Sequence, residues 1–212
     1  MSLYSSLTAF FLNFRIIKNK KIESNILNGE IMSDFDVRVE NIVASISLGV
    51  RVPLNKLLDE DTEYEPEQFP GVVFRMKEPK AAALIFSSGK IVCTGTRSMS
   101  DLKKAIQLIF KKLRKAGVKI PSNYKVEIQN IVASAKFKER VNLDKIAFEL
   151  ENTEYEPEQF PGVVYRMEEP KVAFLFFSSG KIVCTGTRRV EEIKKAIEKV
   201  YKELKEIKAF EE

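Results

Sequence analysis

Short apolar stretches with the two-residue period of strands alternate along the chain with two long stretches of helical period. A strand is predicted over residues 37–48, a short helix over 54–58, and a tight acidic turn over 63–71. Strands follow over 72–76 and 81–86, then a hairpin turn at Ser87, Ser88 and Gly89, and a strand over 90–94. Leu102, Ala105, Ile106, Ile109 and Leu113 fall at i, i+3, i+4, i+7 spacing, which predicts a long amphipathic helix that Gly117 stops. The series then runs a second time. NIVAS at residues 41–45 returns at 130–134, TEYEPEQFPG at 62–71 returns letter for letter at 153–162, and FSSGKIVCTGTR at 86–97 returns at 177–188. The second short helix is predicted over 143–148, and the second long one from Ile193, Ala196, Ile197, Val200 and Leu204. Two units of roughly 90 residues are too long for a helical solenoid and too few for an array, so they predict one pseudo-symmetric α+β body. The first repeat is expected over 32–119 and the second over 120–212.

Strand parity then decides which side chains share a face. Leu84, Phe86, Val92 and Thr94 fall on one face of the hairpin, and Ala83, Ile85, Ile91 and Cys93 on the other. Both faces are mostly apolar, yet each repeat has one long helix to cover them. The uncovered face is therefore expected to be an interaction surface, unless the sheet closes into a barrel or a dimer. Arg75, Lys90 and Arg97 flank it in the first repeat, Arg166, Lys181 and Arg188 in the second, with Ser88 and Ser179 in the turns. Cations at the margin of an apolar, amide-bearing surface fit a groove floor bordered by phosphates.

Composition narrows the chemistry. The 212 residues contain no His, which removes the imidazole base of a hydrolytic triad and the commonest transition-metal ligand. No enzyme activity, metal or cofactor is expected. The two Glu clusters at 63, 65 and 67 and at 154, 156 and 158 lack the further ligands of a metal site. Cys93 and Cys184 occupy the same place in each repeat and on the covered parity, so they are expected to be small buried hydrophobes rather than a disulfide. A net charge of +5 permits a polyanionic partner. No apolar run is long enough for a bilayer, and a soluble cytoplasmic protein without membrane contact is expected. Residues 1–31 lie outside the repeat, and their lysines follow rather than precede the apolar stretch, which argues against a secretory signal. The run Gly29, Glu30, Ile31, Met32 reads as a translated ribosome-binding site before the true start, making 1–31 an extra leader.

The paired NIVAS strands, EPEQFPG turns and FSSGKIVCTG hairpins resemble the TATA-box-binding protein family, in its archaeal form. The resemblance covers about residues 37–204. It implies one curved antiparallel sheet, a saddle, with helices on the convex face. It also implies a general transcription factor that binds the TATA-box of A·T-rich double-stranded promoter DNA in the minor groove and recruits transcription factor B and RNA polymerase. It implies as well that the sheet kinks the duplex toward the major groove. Mapped onto this chain, the kinking wedges are Phe69, Phe86, Phe160 and Phe177. On the residues alone, Phe69 and Phe160 read equally well as core anchors of their turns. Base contacts fall to Asn41, Asn130, Thr94 and Thr185, with Val43, Val132, Leu84, Leu175, Val92 and Val183 packing on the groove floor. The second acidic turn, through Glu156, Glu158 and Gln159, becomes the docking point for transcription factor B. Nucleoid association follows from the same resemblance. The alternative is an architectural DNA-bending protein with no recruiting role.

The uncovered faces of the repeats read as nearly identical, so binding polarity is expected to be set, with the sheet contributing little, by partners on the helix side, transcription factor B among them. There Lys103, Lys104, Lys111, Lys112, Arg114 and Lys115 stand against Asp101, whereas the second long helix mixes lysines and glutamates evenly.

Overall fold

The computed structural model describes residues 35–211, so the expected leader at 1–31 lies outside the described residues. The first repeat begins with strand β1 (Arg38–Ser47), a 3-10 helix (Leu54–Leu57) and a two-residue strand β2 (Thr62–Glu63). It continues with β3 (Gly71–Met76), β4 (Ala81–Phe86), β5 (Lys90–Thr96) and helix α1 (Met99–Lys115). The second repeat runs β6 (Lys125–Lys136), α2 (Leu143–Glu149), β7 (Thr153–Glu154), β8 (Val163–Met167), β9 (Val172–Phe176), β10 (Lys181–Thr187) and α3 (Val190–Glu206).

The ten strands form one antiparallel sheet in the order β2-β3-β4-β5-β1-β6-β10-β9-β8-β7, which reads the same from either end in terms of repeat position. The pseudo-dyad passes between β1 and β6. These strands pair from Arg38 opposite Ser134 to Ser47 opposite Lys125, so the start of each lies beside the far end of the other.

Each half has its own core on the helix side. In the first, Ile42, Ala44, Ile46, Ala83, Ile85, Ile91 and Cys93 pack with Leu102, Ala105, Ile109 and Leu113 of α1. In the second, Ile131, Ala133, Phe174, Phe176, Ile182 and Cys184 pack with Ile193, Ala196, Ile197, Val200 and Leu204 of α3. The helical spacing read from the sequence is the spacing that faces the sheet. Burial raises the Cys93 thiol to about 11 and the Cys184 thiol to about 12, so both stay protonated at neutral pH.

Local sequence explains where the helices start and stop. Ser98 Oγ accepts from Asp101 N–H at 3.0 Å to cap α1, and Val118 N–H donates back to Leu113 O beyond Gly117. The expected pair of matching short helices differs. Two extra residues in the second repeat convert the 3-10 turn of the first into α2, capped by Asn142 Oδ1 on Lys145 N–H at 2.9 Å. The expected strands at 72–76 and 90–94 extend to Gly71 and Thr96. Among the described residues no helix is long and apolar enough to cross a membrane, and no cluster of His, Cys, Asp and Glu could hold a metal ion.

Candidate nucleic-acid interface

The face opposite the helices carries the parity set expected to be uncovered. Val43, Leu84, Val92, Thr94, Leu175, Val183 and Thr185 are partly exposed there, while their chain neighbours, Gly95 and Gly186 apart, are buried in the cores. Val132 belongs to the same face but is 6% exposed, whereas its counterpart Val43 is partly open. Part of the predicted floor is thus already packed.

Two rings stand at each end of this floor. Phe69 lies edge-on to Phe86 with centroids 5.6 Å apart, and Phe160 to Phe177 at 5.8 Å. None of the four is in the buried cores, so the alternative of core anchors for Phe69 and Phe160 is not what the fold builds. The acidic turns hold them. Phe69 N–H donates to Glu65 O at 2.8 Å, and Phe160 N–H to Glu156 O at 2.9 Å. A side chain at Gly71 would put its Cβ 2.9 Å from the Phe69 ring and 3.1 Å from Ile85 O, and Gly162 is crowded in the same way by Phe160 and Phe176 O. The repeated glycine after Phe-Pro, legible in the sequence only as a turn residue, is what lets the rings meet.

At the centre, Asn41 Nδ2 donates to Thr94 Oγ1 at 3.1 Å, and Gly95 N–H donates to Asn41 Oδ1 at 2.7 Å. The second repeat copies this, with Asn130 Nδ2 to Thr185 Oγ1 at 2.9 Å and Gly186 N–H to Asn130 Oδ1 at 3.0 Å. Gly95 and Gly186 have φ of +96° and +107°, a left-handed backbone that turns their N–H groups toward the amides. With the oxygen held by backbone, each amide keeps its NH₂ as the donating end. Asn41 is 4% exposed and Asn130 less covered, so the two centres are not equally open.

Lys90, Arg97, Lys181 and Arg188, with Ser88 and Ser179, are exposed around the floor. Arg75 and Arg166 are also on this face but are not free. Arg75 Nε and Nη2 donate to the two carboxylate oxygens of Glu63 at 2.8 and 3.1 Å, and Arg166 donates twice to Glu154 Oε1. The guanidinium in turn holds the Glu63 carboxyl below its ordinary range. The sequence placed Glu63 and Glu154 in protruding acidic turns. They lie instead in β2 and β7, edge strands too short to read from periodicity, across the ladder from β3 and β8.

The consequence is measurable. Lys90, Lys181 and Arg188 stay free, while Arg97 Nη2 lies 3.9 Å from Glu40 Oε2, so in place of the log K against log[salt] slope of about −5 that six free cations would give, the slope falls to about −3 to −4. Glu63→Gln and Glu154→Gln, each releasing one arginine, will each steepen the slope by roughly one and tighten binding at low salt. Titration of a fluorescent duplex across a salt series checks both; unchanged slopes would mean that the arginines do not reach phosphate.

The two floors are also less alike than the sequence reading held. Parity at the start of β1 and β6 puts Arg38 and Glu40, and their counterparts Glu127 and Gln129, on this face, since Val39 and Ile128 pack into the cores. Ser134 Oγ donates to Glu40 Oε1 at 2.7 Å, whereas Gln129 Nε2 donates to Ser45 Oγ at 2.7 Å. On the other face, Lys112 is drawn out of the basic row of α1 by Asp59 and the Phe74 ring. At the second turn Glu156, Glu158 and Gln159 are all exposed, and Gln159 Nε2 donates to Glu156.

A two-repeat antiparallel sheet with helices on one face and a partly exposed apolar floor edged with cations on the other is the architecture that known proteins share with this chain. The family model described as transcription factor TFIID (or TATA-binding protein, TBP) matches residues 36–116 and 125–207. The chain belongs to the TATA-box-binding protein family. It is 50% identical over 178 residues to the TATA-box-binding protein of Methanothermobacter thermautotrophicus, covering 83% of this chain and 98% of that one. It is 49% identical to that of Archaeoglobus fulgidus, over 82% of this chain and 97% of the relative. The solved structure of Methanococcus jannaschii TBP superposes with a TM-score of 0.74 at 46% identity, covering 80% of this chain and 98% of that chain.

Proposed function

We propose that the protein is a general transcription factor that binds the TATA-box in the minor groove and bends it for transcription initiation. The observation that carries this reading is the partly exposed apolar floor with an edge-to-face phenylalanine pair at each end. An apolar ring pushed between base steps unstacks them at a cost of a few kcal/mol per step, which the opened groove offsets by lying against the floor. Phe69 and Phe86 form one kink, Phe160 and Phe177 the other.

The central amides supply the base preference. The minor groove of A·T or T·A offers acceptors only, which Asn41 and Asn130 Nδ2 and the Thr94 and Thr185 hydroxyls match as donors. Guanine would bring an amino group to the same place. Lys90, Arg97, Lys181 and Arg188, with the serines of the hairpin turns, hold phosphates and fix the register without reading sequence. The exposed Glu156, Glu158 and Gln159 of the second turn then dock transcription factor B, and RNA polymerase follows through that complex. The protein would act at the chromosome, in the cytoplasm, as two repeats over 32–119 and 120–212 and without catalysis.

Gel shifts on A·T-rich and G·C-rich duplexes, with and without transcription factor B, test this directly. Tighter binding to the A·T-rich duplex and a slower-migrating complex with the factor are expected. Equal affinity for both duplexes and indifference to the factor would favour the architectural alternative.

A further inference from the structure

The pseudo-dyad that relates the two halves of the underside fails at several charged positions, and one of them stands beside a cation of the floor's margin. Glu40 and Gln129 occupy equivalent places on β1 and β6, immediately before the paired asparagines. Each bonds a serine of the neighbouring strand, Ser134 for Glu40 and Ser45 for Gln129. Only Glu40 brings a carboxylate, and its Oε2 lies 3.9 Å from Arg97 Nη2. Arg188, the counterpart of Arg97, has an amide in the corresponding position. Arg38, the other cation beside Glu40, is already held by Asp36 and leaves Arg97 as the cation that answers Glu40.

We infer that Glu40 makes the two halves of the underside unequal toward DNA and thereby biases the orientation in which the protein sits on an asymmetric site. This rests on the reading of the underside as the DNA interface. A phosphate approaching Arg97 competes with Glu40 and is repelled by it, whereas a phosphate approaching Arg188 meets an uncompensated guanidinium. Counterion release is correspondingly smaller in the first half. The next unlike pair acts in the same direction. Lys136, opposite Lys181 in the second half, replaces Ser47 of the first, while Lys125 and Glu127 beside Ser47 offset one another. DNA halves differ in how readily they bend, since TA and CA steps deform easily and A-tracts do not. Unequal grips on unequal half-sites give unequal orientations. A symmetric protein could not distinguish them, however tightly it bound.

The burial of Cys93 and Cys184 makes the test practical, because a cysteine placed at the exposed Glu67 of the first turn can be labelled alone. With an iron chelate attached there, cleavage of an asymmetric A·T-rich duplex reports on which half-site the first repeat occupies. The Glu67→Cys protein is expected to cleave the two sides unequally, by about twofold to fivefold, the range of a partly exposed ion pair. Glu40→Gln in that background will bring the ratio toward one, leaving the smaller share of Lys136, and tighten binding by a similar factor. Glu40→Gln with Gln129→Glu will reverse the ratio, and Arg97→Gln, which weakens the first half further, will enlarge it. A ratio of one before any change at Glu40, or a ratio that Glu40→Gln leaves where it was, overturns the inference. Heat melting of each variant excludes loss of fold. Gel shifts of the same samples separate the two levels: failure to bind A·T-rich duplex removes the interface reading itself, while intact binding with an insensitive ratio removes only the role of Glu40.

Discussion

Replacing Phe160 and Phe177 together with alanine will reduce the bend of an A·T-rich duplex to about half and weaken binding by about 100-fold, because one of two kinks loses its wedge. The rings lie in contact with each other at 5.8 Å and outside the second core, so the variant is expected to fold. The bend falls because an apolar wedge is what keeps a base step unstacked. The affinity falls because a straighter half-site cannot reach the Leu175 and Val183 floor. Lys181→Ala provides the contrast, with a salt slope shallower by about one and a bend that is nearly unchanged. Fluorescence energy transfer between the duplex ends measures the bend, and the salt series measures the slope. A double alanine variant that bends DNA as fully as the parent would show that the wedges lie elsewhere.

The second large effect concerns base preference. In Asn130→Asp the oxygen still accepts from Gly186 N–H, but the donating end becomes a second carboxylate oxygen. That oxygen faces acceptors on the groove floor. The loss of a donor, worth about 1–3 kcal/mol, combines with an added negative charge among phosphates, and affinity for an A·T-rich site will fall by 100-fold or more. A base pair with guanine offers the one minor-groove donor, so placing G·C at the centre of the site will recover part of the loss. Asn41→Asp will show the same change of preference, with more loss of stability because Asn41 is nearly buried. Competition gel shifts with centrally substituted duplexes measure both. An Asn130→Asp protein that retains the full A·T preference would remove the amide from base recognition.

The sequence already contained the repeat, the strand parity and the helical spacings, because each is a local pattern of apolar positions. Leu84, Phe86, Val92 and Thr94 were separable from Ala83, Ile85, Ile91 and Cys93 on alternation alone, and the fold keeps that separation. What escaped is what long-range pairing decides. The ion pairs of Arg75 with Glu63 and Arg166 with Glu154 form across two-residue edge strands that have no period to detect. Likewise the crossing of β1 and β6 at the pseudo-dyad carries Glu40 over to Ser134 of the other repeat. Comparing the repeats letter by letter over their identical blocks hides this, since the differing residues lie just ahead of them. On the helix side, too, long-range pairing alters what the residues show, since Lys112 of the basic row is engaged by Asp59.

The double helix covers the apolar underside on this reading, and not the helix-bearing face. Methyl NMR of the protein alone and with an A·T-rich duplex tests it most directly. Large shifts are expected for Val43, Leu84, Val92, Leu175 and Val183, with Leu113 of α1 and Leu204 of α3 hardly moving. Shifts concentrated on residues around the two long helices, with the underside methyls unmoved at saturating duplex, would contradict it.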